Sequence, residues 1–504
     1  RGGSFVLKIA NALEEPAFLD AQRQAMAVAA DRTSLCPRVI PLAAGGGWAG
    51  EVKGPSGALH AVRLVSFIPG TPAGDVPRHS SEYRRDLGRC VGAIDRALEG
   101  FDHPAAHREF HWDLARGAAT CREHLALIAD ADLRGLVRAI VDRFERDAAP
   151  ALSRLPRSVI HNDANDHNVI VRDDGDLYAR HQRVAGIIDF GDMVHSYTVG
   201  GLAIAAAYAS LEARDPLAAA AEVVGGYHRG RPLSGAELGV LFSLLRLRLC
   251  TSVCMAAHQL KQRPDDEYLA ISQQSIARAL PVLARIHPRF AEAAFRRACG
   301  MPPAPGSDAV RSFIQAHAGQ FAPVLGAPLR AETLTHIGLD VASPLVSGDP
   351  ELNTEPLFTE RIFGAMKARG AAVGFGGYDE ARMVYAAPAF ADPLAAPGER
   401  RTVHLGIDLF APAGTPVHAP LDGIVFAAKN NAAWLDYGPV IILEHATGDG
   451  VPFYTLYGHQ SVDSLDGMRA GRRIARGERI ATVGTPDVNG GWTPHLHFQV
   501  MTDL

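Results

Sequence analysis

Hydrophobic and polar positions follow different periods in different parts of the chain, and these periods predict its secondary structure. Short apolar runs at Asn168–Val171 and Val184–Ile188 are typical of paired β-strands. From Ala236 to Arg297 the apolar positions recur with helical spacing, and the pattern ends at Cys299-Gly300. The proline-rich stretch Pro302 to Gly306 then predicts a linker between two domains.

Two later stretches carry a β pattern. Residues 325–399 contain short strand-like segments and turns, which we interpret as a connector that packs on the last domain. The segment Pro494–Val500 alternates, so His495 and His497 are predicted to project from one face of a strand. With 504 residues the chain is long enough for two to four domains.

Composition limits the partners and the compartment. A net charge of -5 with 21% charged residues gives no basic surplus, so we expect no nucleic-acid partner. The longest apolar run lies near Gly201–Ala209 and is shorter than the ~20 residues that cross a bilayer, so we expect a soluble protein without a membrane span. All six cysteines lie between Cys36 and Cys299, which favours reduced thiols and a cytoplasmic location over a disulfide framework.

Histidines and an aspartate near the end of the chain form the first chemical constellation. They occur in the order His404-Leu405-Gly406-Ile407-Asp408, Tyr457-Gly458-His459 and His495-Leu496-His497. A catalytic zinc ion takes three protein ligands and leaves a fourth position for water. His404, Asp408 and His497 fit that ligand set.

At these residues the chain resembles the lysostaphin and LytM-type zinc endopeptidases, over roughly residues 400–504. That family cleaves peptide bonds in peptidoglycan. The resemblance implies that His404, Asp408 and His497 bind zinc and that His459 and His495 are catalytic. The alternative is a domain that keeps this fold, and its zinc, but serves as a scaffold.

A second constellation predicts phosphoryl transfer. It consists of His161-Asn162-Asp163-Ala164-Asn165-Asp166-His167-Asn168 followed by Ile187-Ile188-Asp189-Phe190-Gly191-Asp192. Phosphoryl transfer needs a carboxylate that accepts the substrate's hydroxyl proton, plus a carboxamide and a second carboxylate that hold magnesium on the ATP phosphates. Asp163 is the candidate base, and Asn168 and Asp189 are the candidate magnesium ligands. The alternative is that this segment is only a polar turn and that Asp189 merely ends a strand.

Here the chain resembles the aminoglycoside phosphotransferase and choline kinase group of small-molecule kinases, over roughly residues 1–299. The likeness is closest to the hydroxylysine kinases and related amino-alcohol kinases. It implies a protein-kinase-like bilobal fold, with Leu64–Gly70 as the hinge between the lobes and Phe5–Ile9 as the strand whose lysine, Lys8, binds the ATP phosphates.

Two departures from this resemblance concern the first lobe. The helix after Lys8 should carry an acid that pairs with the lysine, but Gln22 stands at that position, and Asp20 or Glu15 could substitute for it. The chain also begins almost at the lysine strand. We therefore expect a fragment in which the first lobe is incomplete.

Together these features predict a multidomain α+β protein. The expected domains are a kinase-like phosphotransferase at 1–299, a linker and connector at 300–399, and a mostly β, LytM-like zinc domain at 400–504. The leading hypothesis is ATP-dependent phosphorylation of a small amino alcohol, joined to a zinc peptidase-like domain, with ATP, Mg²⁺ and Zn²⁺ as cofactors.

Other functions stay open at this point. The zinc domain could be an endopeptidase acting on peptidoglycan-type peptides, with the kinase-like part as a binding module. An antibiotic-modifying phosphotransferase is a third reading, although no clear acidic cluster is present to receive a polycationic aminoglycoside. Fusions that resemble this one typically continue into an aminotransferase-like domain that uses pyridoxal phosphate, which would act as a further partner outside this sequence.

Overall fold

The computed structural model describes residues 3–43, 47–173, 182–263, 273–385, 390–391 and 400–504. The backbone divides into two compact units, Arg1–Pro303 and Ala304–Leu504. Residues 386–389 and 392–399 of the predicted connector lie outside the described residues. The predicted bounds 1–299, 300–399 and 400–504 stay predictions.

The first unit begins with a small antiparallel sheet and continues into a larger, mainly helical part. Its strands are β1 (Phe5–Ile9), β2 (Val39–Ile40), β3 (Gly50–Lys53), β4 (Leu59–Ser66), β5 (Thr71–Pro72), β6 (Arg157–Ile160), β7 (Val169–Asp173), β8 (Gln182–Ile187) and β9 (Val194–Tyr197). Its helices are α1 (Pro16–Arg32), α2 (Ser81–Ala97), α3 (Gly117–His124), α4 (Ala131–Arg143), α5 (Val199–Ala209), α6 (Pro216–Gly230), α7 (Gly235–Gln262), α8 (Gln273–Arg285) and α9 (Pro288–Ala298).

In the small sheet, β4 lies between β1 and β2 and also pairs with β3. Lys8 on β1 stands directly opposite Arg63 on β4. Directly opposed residues of an antiparallel pair project to the same face, so both cations lie on one side of the sheet. The predicted strand around Lys8 is therefore confirmed.

The helical part is held together by close approach of α2 and α6. A Cβ atom on Gly88 would lie 1.9 Å from the Val223 carbonyl oxygen, and one on Gly226 would lie 2.0 Å from that of Arg85. Only glycine allows the two backbones to come this close.

The predicted strand pair is also present, with Val169 on β7 opposite Ile187 on β8.

Helix α7 passes through the core of the first unit. It begins with a capping box in which the Ser234 hydroxyl accepts from the Glu237 N–H and the Glu237 carboxylate accepts from the Ser234 N–H. Among the described residues, α7 is the one helix long and apolar enough to cross a membrane by length and composition, and 94% of its most apolar window is buried inside the protein. A core helix passes the same test. The helical spacing predicted from Ala236 onward includes this helix. The longest apolar run was nevertheless placed at Gly201–Ala209, because Arg246 and Arg248 interrupt the apolar positions of α7.

The second unit is built on an eight-stranded sheet. Its strands are β10 (Leu334–His336), β11 (Val373–Gly376), β12 (Glu380–Ala381), β13 (Val403–His404), β14 (Ile407–Phe410), β15 (Pro416–His418), β16 (Gly423–Asn431), β17 (Gly438–Ala446), β18 (Pro452–Gly458), β19 (Arg473–Ile474), β20 (Arg479–Thr482) and β21 (His495–Met501). Its helices are α10 (Ser307–His317) and α11 (Leu357–Ala368).

The sheet runs in the order β10-β11-β14-β21-β18-β17-β16-β19. Strands β10 and β11 come from the predicted connector, and β11 pairs with β14. Phe358 and Ile362 on α11 pack in one buried cluster with Phe410 on β14. Part of the predicted connector thus completes the sheet and core of this unit.

Two candidate active sites

The loop after β6 and the end of β8 bring the phosphoryl-transfer residues together in the first unit. Asn168 lies immediately before β7, and Asp189 lies two residues after β8. The Ile188 N–H donates to the Asn168 carbonyl oxygen over 2.9 Å, which holds the two segments side by side. Asp189 has a left-handed backbone, with φ of 66°, and its side chain accepts from the Gly191 N–H over 3.2 Å.

Asp163 is fixed by three side chains. The Asn168 Nδ2 donates to Asp163 Oδ2 over 2.6 Å, and the Asn165 Nδ2 lies 3.0 Å from both carboxylate oxygens. Arg248 on α7 donates from Nη2 to Asp163 Oδ1 over 3.0 Å. Because the Asn168 nitrogen is engaged in this way, its Oδ1 is the atom left as a candidate cation ligand.

Arg248 is a site residue that the sequence analysis missed. Its side chain is buried, with 2% exposed, and its guanidinium lies over the Trp112 ring at 4.5 Å from the centroid. Burial lowers the pKa of Arg248, but Tyr208 and the carboxylates of Asp163 and Asp192 raise it by more than burial lowers it, so the net shift is upward. A charged residue inside an apolar helix was the available signal, since such a residue requires a buried partner.

The predicted phosphate-binding lysine contacts Asp189. Lys8 Nζ lies 3.0 Å from Asp189 Oδ1, and both side chains are partly exposed. Burial raises the pKa of Asp189, but the Lys8 ammonium and the Gly191 N–H lower it more, so the net shift is below the usual value. Asp189 is therefore ionised and available to a cation at neutral pH.

The expected replacement of the helix acid takes a different form. Asp20 accepts hydrogen bonds from Arg23 and Gln24 on its own helix, and Glu15 is an exposed residue at the helix start. Gln22 instead accepts from Arg63 and donates to Glu14 Oε1 over 3.0 Å. Among the described residues, the carboxylate that contacts Lys8 is Asp189.

Asp192 is a second residue that the sequence analysis did not assign. Burial, together with the nearby charge of Asp163, raises the pKa of Asp192 to about 7. Two carboxylates at one site disfavour double ionisation. Strongly shifted carboxyl groups are common at functional sites, which makes Asp192 a further candidate residue here.

In the second unit, strand pairing brings the predicted zinc residues together. Asp408 on β14 stands opposite His497 on β21, and His497 stands opposite Gly458 on β18. His404 Nε2 lies 3.1 Å from Asp408 Oδ1 and 2.9 Å from His497 Nδ1, and His497 Nδ1 lies 3.0 Å from Asp408 Oδ1. All three side chains are buried.

This donor set fits zinc. Any two ligands of a tetrahedral metal with bonds of about 2.1 Å lie roughly 3.4 Å apart. The three donor atoms are within a few tenths of an ångström of that spacing. Two imidazole nitrogens and one carboxylate also match the ligand chemistry of catalytic zinc, which keeps its remaining position open.

Backbone carbonyls fix which ring nitrogen each histidine presents to the site. His404 Nδ1 lies 2.8 Å from the Gly377 carbonyl oxygen, His459 Nδ1 lies 2.8 Å from that of Asn489, and His495 Nδ1 lies 2.6 Å from that of Thr493. Each carbonyl accepts an N–H, so Nε2 is the free nitrogen in all three rings.

His459 and His495 lie beside the three donors as a neutral pair. Their ring centroids are 4.4 Å apart. Burial lowers the pKa of His495 to about 4, against the opposing effect of Asp408. Burial and the neighbouring histidines also hold the pKa of His459 well below its usual value. A neutral imidazole with a free Nε2 can accept a proton from water or substrate.

Arg382 is the residue of this site that the sequence analysis missed. Its Nη1 donates to Asp408 Oδ2 over 2.6 Å, and its Nε donates to Glu380 Oε2 over 2.7 Å. Both carboxylates and the guanidinium are buried. Burial raises the pKa of Asp408, but Arg382 and the three histidines around it, His495, His404 and His497, together hold it well below its usual value.

A cavity of about 640 Å³ opens onto these residues. His404, Asp408, His459, His495 and His497 all line it. Its walls are aromatic, with side chains from Phe358, Tyr385, Phe390, Trp434, Tyr437 and Trp492. The cavity is large enough for a segment of peptide beside the donor set.

Comparison with known proteins identifies both domains. Residues 1–233 match the phosphotransferase enzyme family, and residues 402–503 match peptidase family M23. The chain therefore combines a kinase-like phosphotransferase domain with a mostly β metallopeptidase domain of family M23, as the two resemblances predicted.

Curated relatives divide in the same way. Hydroxylysine kinase of Bos taurus is 30% identical over 220 residues, which are 42% of this chain and 58% of that protein. Hydroxylysine kinase of Danio rerio is 28% identical over 288 residues, 55% of this chain and 80% of that protein. The DD-carboxypeptidase/endopeptidase Mpg of Neisseria meningitidis serogroup B is 37% identical over 98 residues, 19% of this chain and 20% of that protein.

Proposed function

We propose that the first unit transfers the γ-phosphoryl group of ATP to the hydroxyl of a small amino alcohol in the cytoplasm. The observation that carries this proposal is the arrangement of Asp163, whose carboxylate is held by Asn165, Asn168 and Arg248 beside the Asn168 and Asp189 pair. Likeness to the hydroxylysine kinases supports the substrate class.

Each residue has a role in this reaction. Asp163 orients the substrate hydroxyl and accepts its proton as the oxygen attacks the γ-phosphorus, and ADP leaves. Asn168 Oδ1 and Asp189 would hold Mg²⁺, which neutralises charge on the phosphates when it is bound. Lys8 contacts Asp189 at 3.0 Å and would move to the phosphate oxygens.

The experiment is ADP formation from ATP with hydroxylysine, ethanolamine and kanamycin side by side. We expect the amino alcohols to support turnover, and Asp163→Asn to reduce it by roughly 10²–10⁴-fold because the base is lost while the shape of the side chain is kept. ADP formation with kanamycin alone would favour antibiotic modification. No turnover with any of the three would contradict the proposal.

For the second unit we propose zinc-dependent hydrolysis of a peptide of the peptidoglycan type. Three donor atoms between 2.9 and 3.1 Å apart support it, as do the neutral histidines at the cavity. His404, Asp408 and His497 would hold zinc, which supplies a Lewis acid and a water of lowered pKa when bound. His459 and His495 would hold and pass the water's proton.

Metal analysis separates the ligands from the other histidines. Zinc should bind at about one per chain in the parent protein and in His459→Ala, but it should be lost in His404→Ala and His497→Ala. Hydrolysis of peptidoglycan peptides should fall in all three variants. Bound zinc without hydrolysis would indicate a scaffold. Equal zinc loss in all three would overturn the ligand assignment.

A further inference from the structure

The nucleotide side of the first unit holds a buried cation that no carboxylate contacts directly among the described residues, although Glu14 and Asp189 lie near enough to act on its charge. Arg63 is 9% exposed, and its Nη2 donates to the neutral Gln22 side chain. Its Nη1 is buried and has no hydrogen-bond partner among the described residues. An unpartnered buried donor costs free energy, so a guanidinium kept in this state needs a function or a partner.

Two adjoining cavities share this cation. One of about 100 Å³ is lined mainly by apolar side chains, including Val65, Phe67 and Ile188, and the other, of about 190 Å³, is mainly polar. Both are lined by Lys8, Arg63 and Asp189. The polar cavity is also lined by Glu14. An apolar cavity next to a polar one that holds two cations, with Asp189 as a candidate ligand for Mg²⁺, fits a nucleotide whose base lies in the first and whose phosphates lie in the second.

We infer that Arg63 is a second phosphate-binding cation beside Lys8, and that Gln22 holds it in place without the direct ion pair that an acid would form. This inference rests on the proposed ATP-dependent function. Lys8 and Arg63 stand opposite each other and face the same side of the sheet. Arginine donates through a planar fork that matches phosphate oxygens, so its free nitrogen is suited to this ligand.

Gln22 positions Arg63 without neutralising it. Its Oε1 accepts from Arg63, and its Nε2 donates to Glu14 Oε1 over 3.0 Å, so the amide orientation is fixed from both ends. A glutamate at position 22 would place a buried negative charge against the guanidinium. That charge would compete with the phosphates for Arg63.

The test compares nucleotide and nucleoside binding. Binding of adenosine, ADP and ATP, the nucleotides with Mg²⁺, is measured calorimetrically on the parent protein, Arg63→Met and Gln22→Glu. In Arg63→Met we expect ADP and ATP affinity to fall by about 10–100-fold, the range for a hydrogen bond to a charged group, with adenosine affinity unchanged. Arg23→Met is the matched control, because Arg23 pairs with Asp20 on its own helix and does not line either cavity.

Gln22→Glu decides between two readings of this position. If Arg63 binds phosphate, the new acid weakens ADP and ATP binding. If position 22 is instead a lost partner of Lys8, the acid strengthens binding, and that result would overturn the inference. This variant also carries the test where Arg63→Met fails to fold.

The remaining outcomes separate this inference from the proposed function. An unchanged ratio of ADP to adenosine affinity in both variants would overturn the phosphate role of Arg63 while leaving the kinase intact. Loss of adenosine and ADP binding together in both variants would assign Arg63 a structural role only. A parent protein that binds neither nucleotide would remove the proposed function itself.

Discussion

Replacing Arg382 by Met should destabilise the second unit strongly in the absence of zinc. Arg382 is bonded to Asp408 at 2.6 Å and to Glu380 at 2.7 Å, and all three side chains are buried. Removing one partner of a buried ion pair costs about 3–5 kcal/mol, because the other charge stays buried without compensation. For a unit of this size, each kcal/mol corresponds to about 2–4 °C, so the melting temperature should fall by about 6–20 °C.

Zinc should recover part of this loss. The ion would bind at Asp408 Oδ1, where the two histidine nitrogens lie, and its charge would compensate that carboxylate in place of the guanidinium. Glu380 would stay uncompensated, because its remaining hydrogen bond among the described residues is to the neutral Leu339 N–H, which donates to Oε1 over 2.8 Å. The difference in melting temperature between variant and parent protein should therefore become smaller when zinc is bound, but it should not disappear.

The assay is differential scanning calorimetry of the whole chain, first treated with a chelator and then given one equivalent of zinc. The transition whose melting temperature rises with zinc is assigned to the second unit. Arg400→Met is the matched control, because Arg400 lines the same cavity but is exposed, and its loss should change stability by less than about 0.5 kcal/mol. A shift no larger than the control's, or an equal gap with and without zinc, would refute the reasoning.

Three further predictions concern single residues. Asp189→Ala should raise the magnesium concentration needed for half-maximal ADP formation, because a ligand of the cation is lost, and an unchanged magnesium dependence would argue against Asp189 as a ligand. Arg248→Met should lower kcat by about 10²-fold with little change in the KM for ATP, because the Asp163 carboxylate is no longer held in line with the substrate hydroxyl. Steady-state kinetics measures both constants, and an unchanged kcat would contradict this role of Arg248. Burial lowers the pKa of His445, whose ring nitrogens contact the Asp422 carbonyl and the Thr455 hydroxyl. The unfolded chain therefore takes up the proton first as the pH falls, so the stabilising contribution of His445 should be fully present above about pH 6.5 and be lost below it. Chemical denaturation should show that His445→Gln reduces this dependence of the unfolding free energy on pH.

Motif residues could be predicted from the sequence because their chemistry constrains both residue type and spacing. Five motif positions around His404 and His497 lie together at one cavity, and the strand containing His495 and His497 is present. Their roles as ligands and catalysts stay predictions. The strand that follows Asn168 was predicted from its short apolar run, and the strand that carries Lys8 was predicted from the resemblance to small-molecule kinases.

Supporting residues could not be predicted in this way. Arg248 is 85 residues from Asp163 along the chain, and Arg382 comes from a stretch without a motif. A buried charge requires a partner, but a single sequence does not say which distant residue supplies it. The Gln22 pairing illustrates the same limit, because the sequence pointed to a missing acid and the structure instead contains an arginine on a neighbouring strand.

In both candidate sites a buried arginine binds one oxygen of an aspartate and leaves the other oxygen to different partners. Arg248 binds Oδ1 of Asp163, and Asn168 contacts Oδ2. Arg382 binds Oδ2 of Asp408, and the two histidine donors contact Oδ1. A carboxylate that rotated freely would present either oxygen and lose the orientation that catalysis requires. Each arginine is buried, so its own position is fixed by the surrounding side chains. We therefore expect both arginines to be needed to hold their aspartates in one orientation.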